Sequence, residues 1–395
     1  MLSVAANVKS LESRAPRSEP RRRRVMIVAG EASGDLHGAE LVREILARDP
    51  DCEIFGIAGE RMSTAGVRAI YSTDEIAGMG LTELAGTIRR TLGALSRLRT
   101  ILRDEKPDLL ILIDFPDFNM QLAKSAKRAG VPVLYYIAPQ VWAWRRGRIP
   151  KLIARADRIA VVLPFEAELY RAAGERVAFV GHPLLDGIAP RPREETLARY
   201  GFASDSRLLA ILPGSRRKEI RYLLEPMVAA ARILARDHGL IPCLALAPTL
   251  TAADLEREGR IDLGSMRIIE NDTYSIVAAS EASLVASGTA TLETALLKCP
   301  MVIAYKVSSL TWAAARLLVK GVSFAGMPNI LAGREIVPEL IQNQVTVPNL
   351  VSAAERVMSE PARGKIIAAL GDLRTQLGTP GAASRVAEMA LEMMG

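Results

Sequence analysis

A recurring order of apolar and amphipathic segments constrains the fold of this chain more than any other feature of its sequence. Short apolar runs alternate with amphipathic stretches such as Leu36–Arg48 and Glu219–Arg236. The runs read as buried strands and the stretches as helices, an order typical of a parallel sheet covered by helices on both faces. The candidate strands are Val25–Ala29, Glu53–Ile57, Leu109–Ile113, Val131–Tyr136, Arg158–Val162, Arg176–Val180, Leu208–Leu212, Pro242–Leu246, Met266–Ile269, Ala282–Val285 and Met301–Ala304.

The candidate strands fall into two sets, which predicts two doubly wound α/β domains in tandem. A chain of 395 residues is long enough to bury two full cores. The segment Gly187–Asp205, which contains two prolines and several charges, is typical of an interdomain linker. We therefore predict domains over residues 24–187 and 206–365, with ligands bound in the cleft between them. Residues 366–395 are expected to form helices that pack back on the first domain or on a partner protomer.

Positive charge is concentrated at the N terminus. Residues 1–24 hold seven basic and two acidic residues, so they carry +5 of the net charge of +7. We interpret residues 1–23 as a disordered basic tail, with a weak electrostatic membrane tether as the alternative. Because about +2 remains for the rest and aromatic residues make up only 5% of the chain, no nucleic-acid partner is expected.

Cysteine use and hydropathy indicate the compartment. Cys52, Cys243 and Cys299 are scattered and odd in number, which favours a reducing, cytoplasmic environment. The N terminus has no apolar segment of the kind found in a secretory signal. No stretch reaches the roughly 18 apolar residues that span a bilayer. Any membrane contact is therefore expected to be peripheral.

Two turns of the first domain carry polar residues where a predicted strand ends. In Gly30–Asp35, Ser33 and Asp35 either cap the next helix or bind a polar ligand. Asp114 follows a strand directly, at the carboxyl edge of the sheet where open α/β folds bind ligands. One carboxylate of the pair Asp114 and Asp117 is suited to act as a general base, while the other caps a helix with Asn119, unless both only cap. Their DxxD spacing is a weak metal signal, so no metal is expected.

Two turns of the second domain resemble anion cradles. Each joins a strand to a helix through glycine and hydroxyl residues, an arrangement that offers backbone N–H groups to a phosphate. Arg216 adds a guanidinium, and Glu293 is placed to accept hydrogen bonds from ribose hydroxyls. Two such cradles fit a diphosphate better than a single phosphate, and neither matches a P-loop. The remaining candidate residues are Gly214, Ser215, Ser287, Gly288 and Thr289.

Six motifs in order resemble those of the lipid-A-disaccharide synthase family, glycosyltransferase family 19. The resemblance extends from about Val25 to the C terminus, and the combination makes it specific. Lys218 departs from it by adding charge within SRRKE. The motifs are GEASGD at 30–35, DFPDFN at 114–119, PQVWAW at 139–144, LPGSRRKEI at 212–220, ASGTATLETAL at 286–296 and MPNILAGRE at 327–335.

The resemblance implies an inverting glycosyltransferase of the GT-B fold, with two Rossmann-like domains facing across a cleft. The implied donor is UDP-2,3-diacylglucosamine and the implied acceptor is 2,3-diacylglucosamine 1-phosphate, lipid X. The products would be the β(1→6)-linked tetraacyl disaccharide 1-phosphate and UDP. The implied location is the inner face of the inner membrane, an anionic surface.

The resemblance also implies roles for individual residues. Asp114 would be the base, and Arg216 would stabilise the departing UDP with Ser215 and the backbone of Ser287–Thr289. Asn329 joins the substrate-binding residues through its motif. No cofactor and no essential cation are implied, and a homodimer is a candidate assembly.

Two rival functions remain open. One is an enzyme like UDP-N-acetylglucosamine 2-epimerase, which shares the two-domain architecture, and the other is a non-catalytic, membrane-bound nucleotide sensor. An exposed apolar surface would argue against the epimerase, which acts on a soluble sugar. Ala77–Arg103 interleaves leucines with arginines, which predicts either an interfacial helix or a helix packed on the core. Leu310–Phe324 is the second candidate surface.

Overall fold

The structure, a computed structural model, contains two parallel β-sheets covered by helices, which confirms the predicted fold class. It describes residues 22–77, 84–139, 146–247, 250–259, 261, 263–264, 266–309, 311–313 and 323–395. Residues 1–21 of the predicted tail and the two tryptophans of PQVWAW lie outside these residues, as does most of Leu310–Phe324.

The first sheet has seven strands in the order β3-β2-β1-β4-β5-β6-β7, all parallel. Strand order reverses at β1, which pairs with β2 on one side and β4 on the other. This switch point opens a crevice at the carboxyl ends of β1 and β4. The strands are β1 (Arg24–Ala29), β2 (Glu53–Ala58), β3 (Arg68–Ser72), β4 (Leu109–Ile113), β5 (Val133–Tyr136), β6 (Arg158–Val161) and β7 (Val177–Phe179).

The second sheet has six parallel strands in the order β10-β9-β8-β11-β12-β13. Its switch point lies between β8 and β11, so the second crevice opens where these two strands end. The strands are β8 (Arg207–Leu212), β9 (Leu240–Leu246), β10 (Arg267–Glu270), β11 (Ser280–Ala286), β12 (Met301–Tyr305) and β13 (Glu339–Ile341).

The helices cover both faces of each sheet, and short 3₁₀ segments lie at Arg146–Arg148, Arg171–Arg176 and Gln342–Gln344. Within the described residues, none is long and apolar enough to cross a bilayer. They are α1 (Ala32–Arg48), α2 (Glu60–Thr64), α3 (Thr73–Ala77), α4 (Leu84–Asp104), α5 (Pro116–Ala129), α6 (Ile149–Arg155), α7 (Pro164–Leu169), α8 (Leu184–Gly187), α9 (Arg193–Arg199), α10 (Arg217–His238), α11 (Ala252–Gly259), α12 (Thr273–Ala279), α13 (Thr289–Leu296), α14 (Met327–Ala332), α15 (Val347–Met358), α16 (Ala362–Gln376) and α17 (Ala382–Met394).

Sequence pattern explains these elements. β4, LLILI, is buried along its whole length because helices cover both faces of a parallel sheet. α10 buries residues at three- and four-residue steps, including Leu223, Met227 and Leu234, and thereby presents one face to the second sheet. It ends at Gly239, whose φ of +67° is a left-handed conformation that glycine adopts at low cost.

Several predicted elements and boundaries differ from the structure. β3 and β13 were not predicted, because β3 is a partly exposed edge strand and β13 is only three residues long. α1 begins at Ala32 rather than near Leu36. The predicted linker contains α9, which buries Leu197 and packs against α12 of the second sheet's layer.

The C-terminal helices connect the two halves of the molecule. α16 packs against α13 and α15 beside the second sheet, whereas α17 packs against α1 beside the first. Asp186 accepts hydrogen bonds from the N–H groups of Gly381 (2.6 Å) and Ala382 (3.2 Å), where α17 begins. Arg385 donates to the carbonyl of Val180 over 2.9 Å. The chain therefore returns to its first half after completing the second.

Candidate functional site

A cavity of about 1000 Å³ lies where the carboxyl ends of the two sheets face each other. This volume is at the upper end of the usual range for small-molecule sites, about 300–1,000 Å³. The cavity brings together residues that are far apart in the sequence. Of the predicted site residues, those lining it are Ser33, Asp114, Arg216, Ser287, Gly288 and Thr289.

Asp114 sits in a backbone conformation that L-residues rarely adopt. Its φ is +45°, and so is that of Phe115, before α5 begins with Pro116. Two side chains hold this turn through the carbonyl of Asp114. The Tyr135 hydroxyl and the Asn119 amide each donate to that oxygen over 2.8 Å, and Asn119 also donates to the carbonyl of Ile113 over 3.2 Å. Conformational strain at such a turn is typical of functional sites.

The environment of Asp114 raises the pKa of its carboxyl from 3.8 to about 6. Burial is the largest cause, because a low-dielectric surrounding disfavours the charged form, and the charge of Glu31 adds to it. A hydrogen bond from the N–H of Phe115 acts in the opposite direction. A carboxylate with a pKa near 6 is ionised at neutral pH and still basic enough to take a proton.

Asp117, the alternative base, has different surroundings. Its carboxylate lies 2.6 Å from the guanidinium of Arg148, and its side chain is 67% exposed. It does not line the cavity. This geometry favours Asp114 over Asp117 as the base.

The Gly-Ser-Arg turn before α10 differs from the predicted anion cradle. Glu219 turns back and accepts hydrogen bonds from the N–H groups of Ser215 (3.0 Å) and Arg216 (3.3 Å). Gly214, at φ +118°, packs so closely on Glu219 that an added Cβ would lie 2.3 Å from its Oε2. Two donors expected to face a phosphate are thus occupied within the chain. The guanidinium of Arg216, 54% exposed, is the part of this turn that reaches the cavity.

The second cradle faces the same cavity. Gly288 and Thr289 line it at the start of α13, and space around Gly288 is open. The hydroxyl of Ser287 donates to the carbonyl of Ala325 over 2.7 Å, which ties the turn to the segment before α14. A side pocket of about 120 Å³ adjoins it, lined by Arg216, Ser287 and Tyr305 among others.

Four predicted substrate-binding residues have polar partners within the chain and do not line the cavity. Asp35 is 5% exposed and accepts hydrogen bonds from the N–H groups of Gly59 (2.7 Å), Arg61 (3.0 Å) and Met62 (3.1 Å), so it caps α2. Asn119 is fully buried and positions the turn at Asp114.

The other two residues are Asn329 and Glu293. The amide of Asn329 is fully buried, donating to the carbonyl of Val337 and to Glu339 over 2.8 Å each. Glu293 accepts from the Tyr274 hydroxyl over 2.9 Å and does not line the cavity, while burial raises its pKa. All four side chains bond to the backbone or to a neighbouring side chain, and their role in substrate binding stays a prediction.

Glu31, His37 and His182 also line the cavity. Burial, followed by the nearby His37, lowers the pKa of His182 from 6.5 to about 3, so this ring is neutral at physiological pH. Glu31 was within a recognised motif but was read as part of the turn. Its position, two residues after β1 ends, could have indicated that Glu31 lies at the carboxyl edge of the sheet.

Part of the cavity wall is apolar. Ile137, Val162 and Leu163 follow β5 and β6 of the first sheet, beyond Asp114 in strand order. Phe324, Met327, Ile330 and Trp312, from the second half of the chain, line the cavity as well. Polar groups therefore meet an apolar wall in a single chamber. Among the described residues, no group of three or more His, Cys, Asp or Glu side chains is arranged to hold a metal ion.

Comparison with known sequences identifies similar proteins over nearly the whole chain. The family model described as lipid-A-disaccharide synthetase matches residues 25–393. The lipid-A-disaccharide synthase of Syntrophus aciditrophicus (strain SB) is 46% identical over 376 residues, 94% of this chain and 97% of the relative. That of Geobacter metallireducens is 44% identical over 376 residues, 94% of this chain and 98% of the relative.

Solved structures with this fold include both glycosyltransferases and epimerases. The calicheamicin glycosyltransferase CalG4 aligns over 94% of this chain and 99% of its own, with a TM-score of 0.61 and 16% identity. A UDP-GlcNAc 2-epimerase from Neisseria meningitidis, bound to UDP-GlcNAc, aligns over 93% and 100%, with a TM-score of 0.65 and 13% identity. At these identities the likeness concerns the fold, which is GT-B.

Proposed function

Because this chain belongs to the lipid-A-disaccharide synthase family, glycosyltransferases of lipid A biosynthesis, we propose that it transfers 2,3-diacylglucosamine from UDP to the 6-hydroxyl of lipid X. The reaction joins a nucleotide-sugar donor to a lipid acceptor. The observation that carries the proposal is one cavity that holds Asp114, Arg216 and an apolar wall together. Asp114 suits a hydroxyl acceptor, Arg216 suits a diphosphate leaving group, and the apolar wall suits acyl chains.

The donor is assigned to the domain of residues 206–365. The guanidinium of Arg216 and the N terminus of α13 face the same chamber, and both favour anionic oxygens. The side pocket beside Tyr305 is adjacent to them and suits the nucleoside. The acceptor is assigned to residues 24–187, because Asp114 extends from that side.

Transfer is proposed as a single displacement with inversion. The 6-hydroxyl oxygen of lipid X forms a bond to the anomeric carbon while the bond from that carbon to the β-phosphate oxygen breaks. Asp114 takes the hydroxyl proton, and UDP leaves with the electron pair of the broken bond. Arg216 stabilises the charge that develops on the departing diphosphate. The product is the β(1→6)-linked tetraacyl disaccharide 1-phosphate.

Acyl chains are accommodated by the apolar wall. The wall starts beside Asp114 at Ile137 and continues at Val162 and Leu163, where successive strands end. Burying such a chain contributes roughly 0.8 kcal/mol per CH₂ group. A soluble nucleotide sugar would leave this wall in water, so the wall favours diacylated substrates over those of an epimerase.

The proposed location is the inner face of the inner membrane, with the enzyme bound peripherally. The first half of α4 supports this. Leu92 is 58% exposed, and the neighbouring Arg89 and Arg90 are exposed as well. Basic side chains next to an exposed leucine suit an anionic lipid surface.

The test is incubation of the purified chain with UDP-2,3-diacylglucosamine and lipid X. We expect equimolar UDP and tetraacyl disaccharide 1-phosphate, identified by mass spectrometry, with a β-anomeric signal by NMR. UDP-N-acetylglucosamine alone should remain unchanged, whereas epimerisation of it would overturn the proposal. A parallel reaction with EDTA is expected to proceed at the same rate, because Arg216 and the N–H groups at the start of α13 are proposed to stabilise the departing diphosphate in place of a cation.

A further inference from the structure

An ion pair connects the two domains across the cavity. Nη2 of Arg216, at the start of α10, lies 3.5 Å from Oε2 of Glu31, at the start of α1. Both side chains are 54% exposed and both line the cavity, so a ligand that enters can reach either group. An exposed pair of this kind is weak and therefore readily exchanged.

Arg216 has a second acidic neighbour, Glu219, which a ligand cannot replace as easily as it can replace Glu31. Its Nη1 lies 3.9 Å from Oε1 of Glu219. The other oxygen of Glu219 is committed to the N–H groups of Ser215 and Arg216. Releasing Glu219 would therefore break the turn that presents the arginine. Glu31 has no comparable structural bond among those described, and it is the partner that a diphosphate would replace.

Glu31 also acts on the first domain's carboxylate. Its charge is the second cause, after burial, of the raised pKa of Asp114. Glu31 follows Gly30 and Asp114 precedes Phe115, and Gly30 packs directly on the ring of Phe115, so the two carboxylates belong to turns that are in contact. Near Asp114 in the chain, Asp117 pairs with Arg148, and the Tyr135 hydroxyl donates to the carbonyl of Asp114. The other titratable groups that line the cavity are His37, Glu166, His182 and Tyr305.

We propose that Glu31 is a positioning residue, which pairs with Arg216 in the free enzyme and is replaced as its partner by the donor diphosphate. Without donor, Glu31 holds Arg216 over the cavity. When the diphosphate takes Arg216, the released carboxylate faces Asp114 without its counter-charge. The Asp114 carboxylate therefore becomes a stronger base only after the donor has bound, so donor binding precedes proton transfer. This inference rests on the proposed roles of Arg216 and Asp114.

Glu31→Gln separates this role from a purely structural one. The amide competes poorly for Arg216, so UDP should bind about two- to five-fold more tightly, the range expected for an exposed pair. Because a negative charge beside Asp114 is lost, the acid limb of the kcat–pH profile should move to lower pH and the maximal kcat should fall. Calorimetric titration with UDP and initial rates measure these effects. Glu31→Asp should keep the acid limb near that of the wild type, because it restores the charge.

The matched control is Glu60→Gln, which removes an exposed charge from the first domain away from the cavity and should leave both measurements unchanged. The inference is overturned if folded Glu31→Gln binds UDP no more tightly than the wild type, or if its acid limb does not move. Failure of the proposed function looks different. Wild-type protein would then bind UDP without forming disaccharide, and the UDP comparison would still decide whether Glu31 competes for Arg216.

Discussion

Asp114 combines two unfavourable features that a structural residue would not need. Its left-handed backbone and its buried carboxyl each cost free energy in the folded state. Between pH 3.8 and about 6 the folded state binds more protons at this group than the unfolded state does. Stability therefore falls as pH rises through that window, and above it the full cost of ionisation is present.

Asp114→Asn is therefore expected to stabilise the protein while it abolishes transfer. At pH 7.5 the free energy of unfolding should rise by about 1–3 kcal/mol, since the amide carries no buried charge and asparagine tolerates a positive φ. At pH 4 the gain should largely disappear. The kcat should fall by roughly 10²–10⁴-fold, because an amide cannot take the proton. Urea titrations at both pH values and UDP release measure the two effects.

Wild-type rates give an independent measure of Asp114. The value of kcat/KM should fall as pH decreases below about 6, where the carboxylate becomes protonated in the free enzyme. An Asp114→Asn variant that keeps most of its kcat would show that Asp114 is structural and would return Asp117 to consideration.

Arg216→Ala should reduce turnover by roughly 10²–10³-fold without unfolding the protein, because it removes a charge-assisted donor from the leaving diphosphate. Arg217→Ala is the matched control. Arg217 is the next residue, but its guanidinium lies 3.1 Å from Asp254 and does not line the cavity. Steady-state rates and circular dichroism of both variants decide the assignment, and equal rates for the two would contradict it.

Sequence reasoning identified polar residues in the turns that follow strands, and it missed the side chains that hold those turns by hydrogen bonds. The position of Asp114 and Arg216 at the cavity was predictable, because ligands bind at the carboxyl edge of a parallel sheet. The capping role of Glu219 could have been predicted, since a glutamate at the third position of a helix is a recognised sign of a capped N terminus. Tyr135 was not, because its contact with Asp114 depends on strand register.

At the scale of elements, two strand-to-helix turns pack against each other through a glycine. A Cβ on Gly30 would lie 2.2 Å from Cγ of Phe115, whose ring stacks on Phe118 with centroids 5.1 Å apart. The ring therefore has little room to move. This contact brings the start of α1 and the turn at Asp114 to the same point of the cavity.

Gly30→Ala is expected to displace the turn at Asp114. Overpacking of this kind costs about 1–3 kcal/mol of stability, and we expect at least a tenfold loss of kcat because the base moves. Gly93→Ala is the control, since nothing lies within 4 Å of its added Cβ in α4. That variant should gain about 0.5–1 kcal/mol and keep full activity. Thermal unfolding and rates compare the two, and wild-type behaviour of Gly30→Ala would exclude the coupling.

The helix α4 shows how far a periodic pattern can be interpreted. The leucine stripe of 77–103 allowed either a membrane-facing or a core helix. In the second half Leu95, Leu98 and Leu102 are buried, so there the core interpretation is correct. The side chains of Leu84 and Ile88 lie outside the described residues. Periodicity locates a stripe but does not state what covers it.

At the scale of the whole molecule, the two-sheet architecture followed from the alternation of segments, whereas the long-range connections did not. Each sheet reverses its strand order once, as is typical of doubly wound α/β domains. The return of α17 to α1 depends on contacts between residues such as Asp186 and Gly381, far apart in the chain. No local pattern encodes such a pairing.

Membrane attachment is a property of the whole surface, and the exposed face of α4 makes it testable. Wild-type protein is expected to bind vesicles that contain anionic lipid, more weakly as salt rises, because exposed charges are screened over about 10 Å at 0.1 M. Each basic residue near the surface adds about 1 kcal/mol, so Arg89→Gln with Arg90→Gln should weaken binding about 30-fold at low salt. The control pair, Arg236→Gln with Lys365→Gln, removes the same charge from exposed positions in the second half of the chain. Vesicle sedimentation measures all three proteins. If both double variants weaken binding equally, net charge rather than α4 attracts the membrane, and if the wild type does not bind at low salt, α4 is not a docking surface.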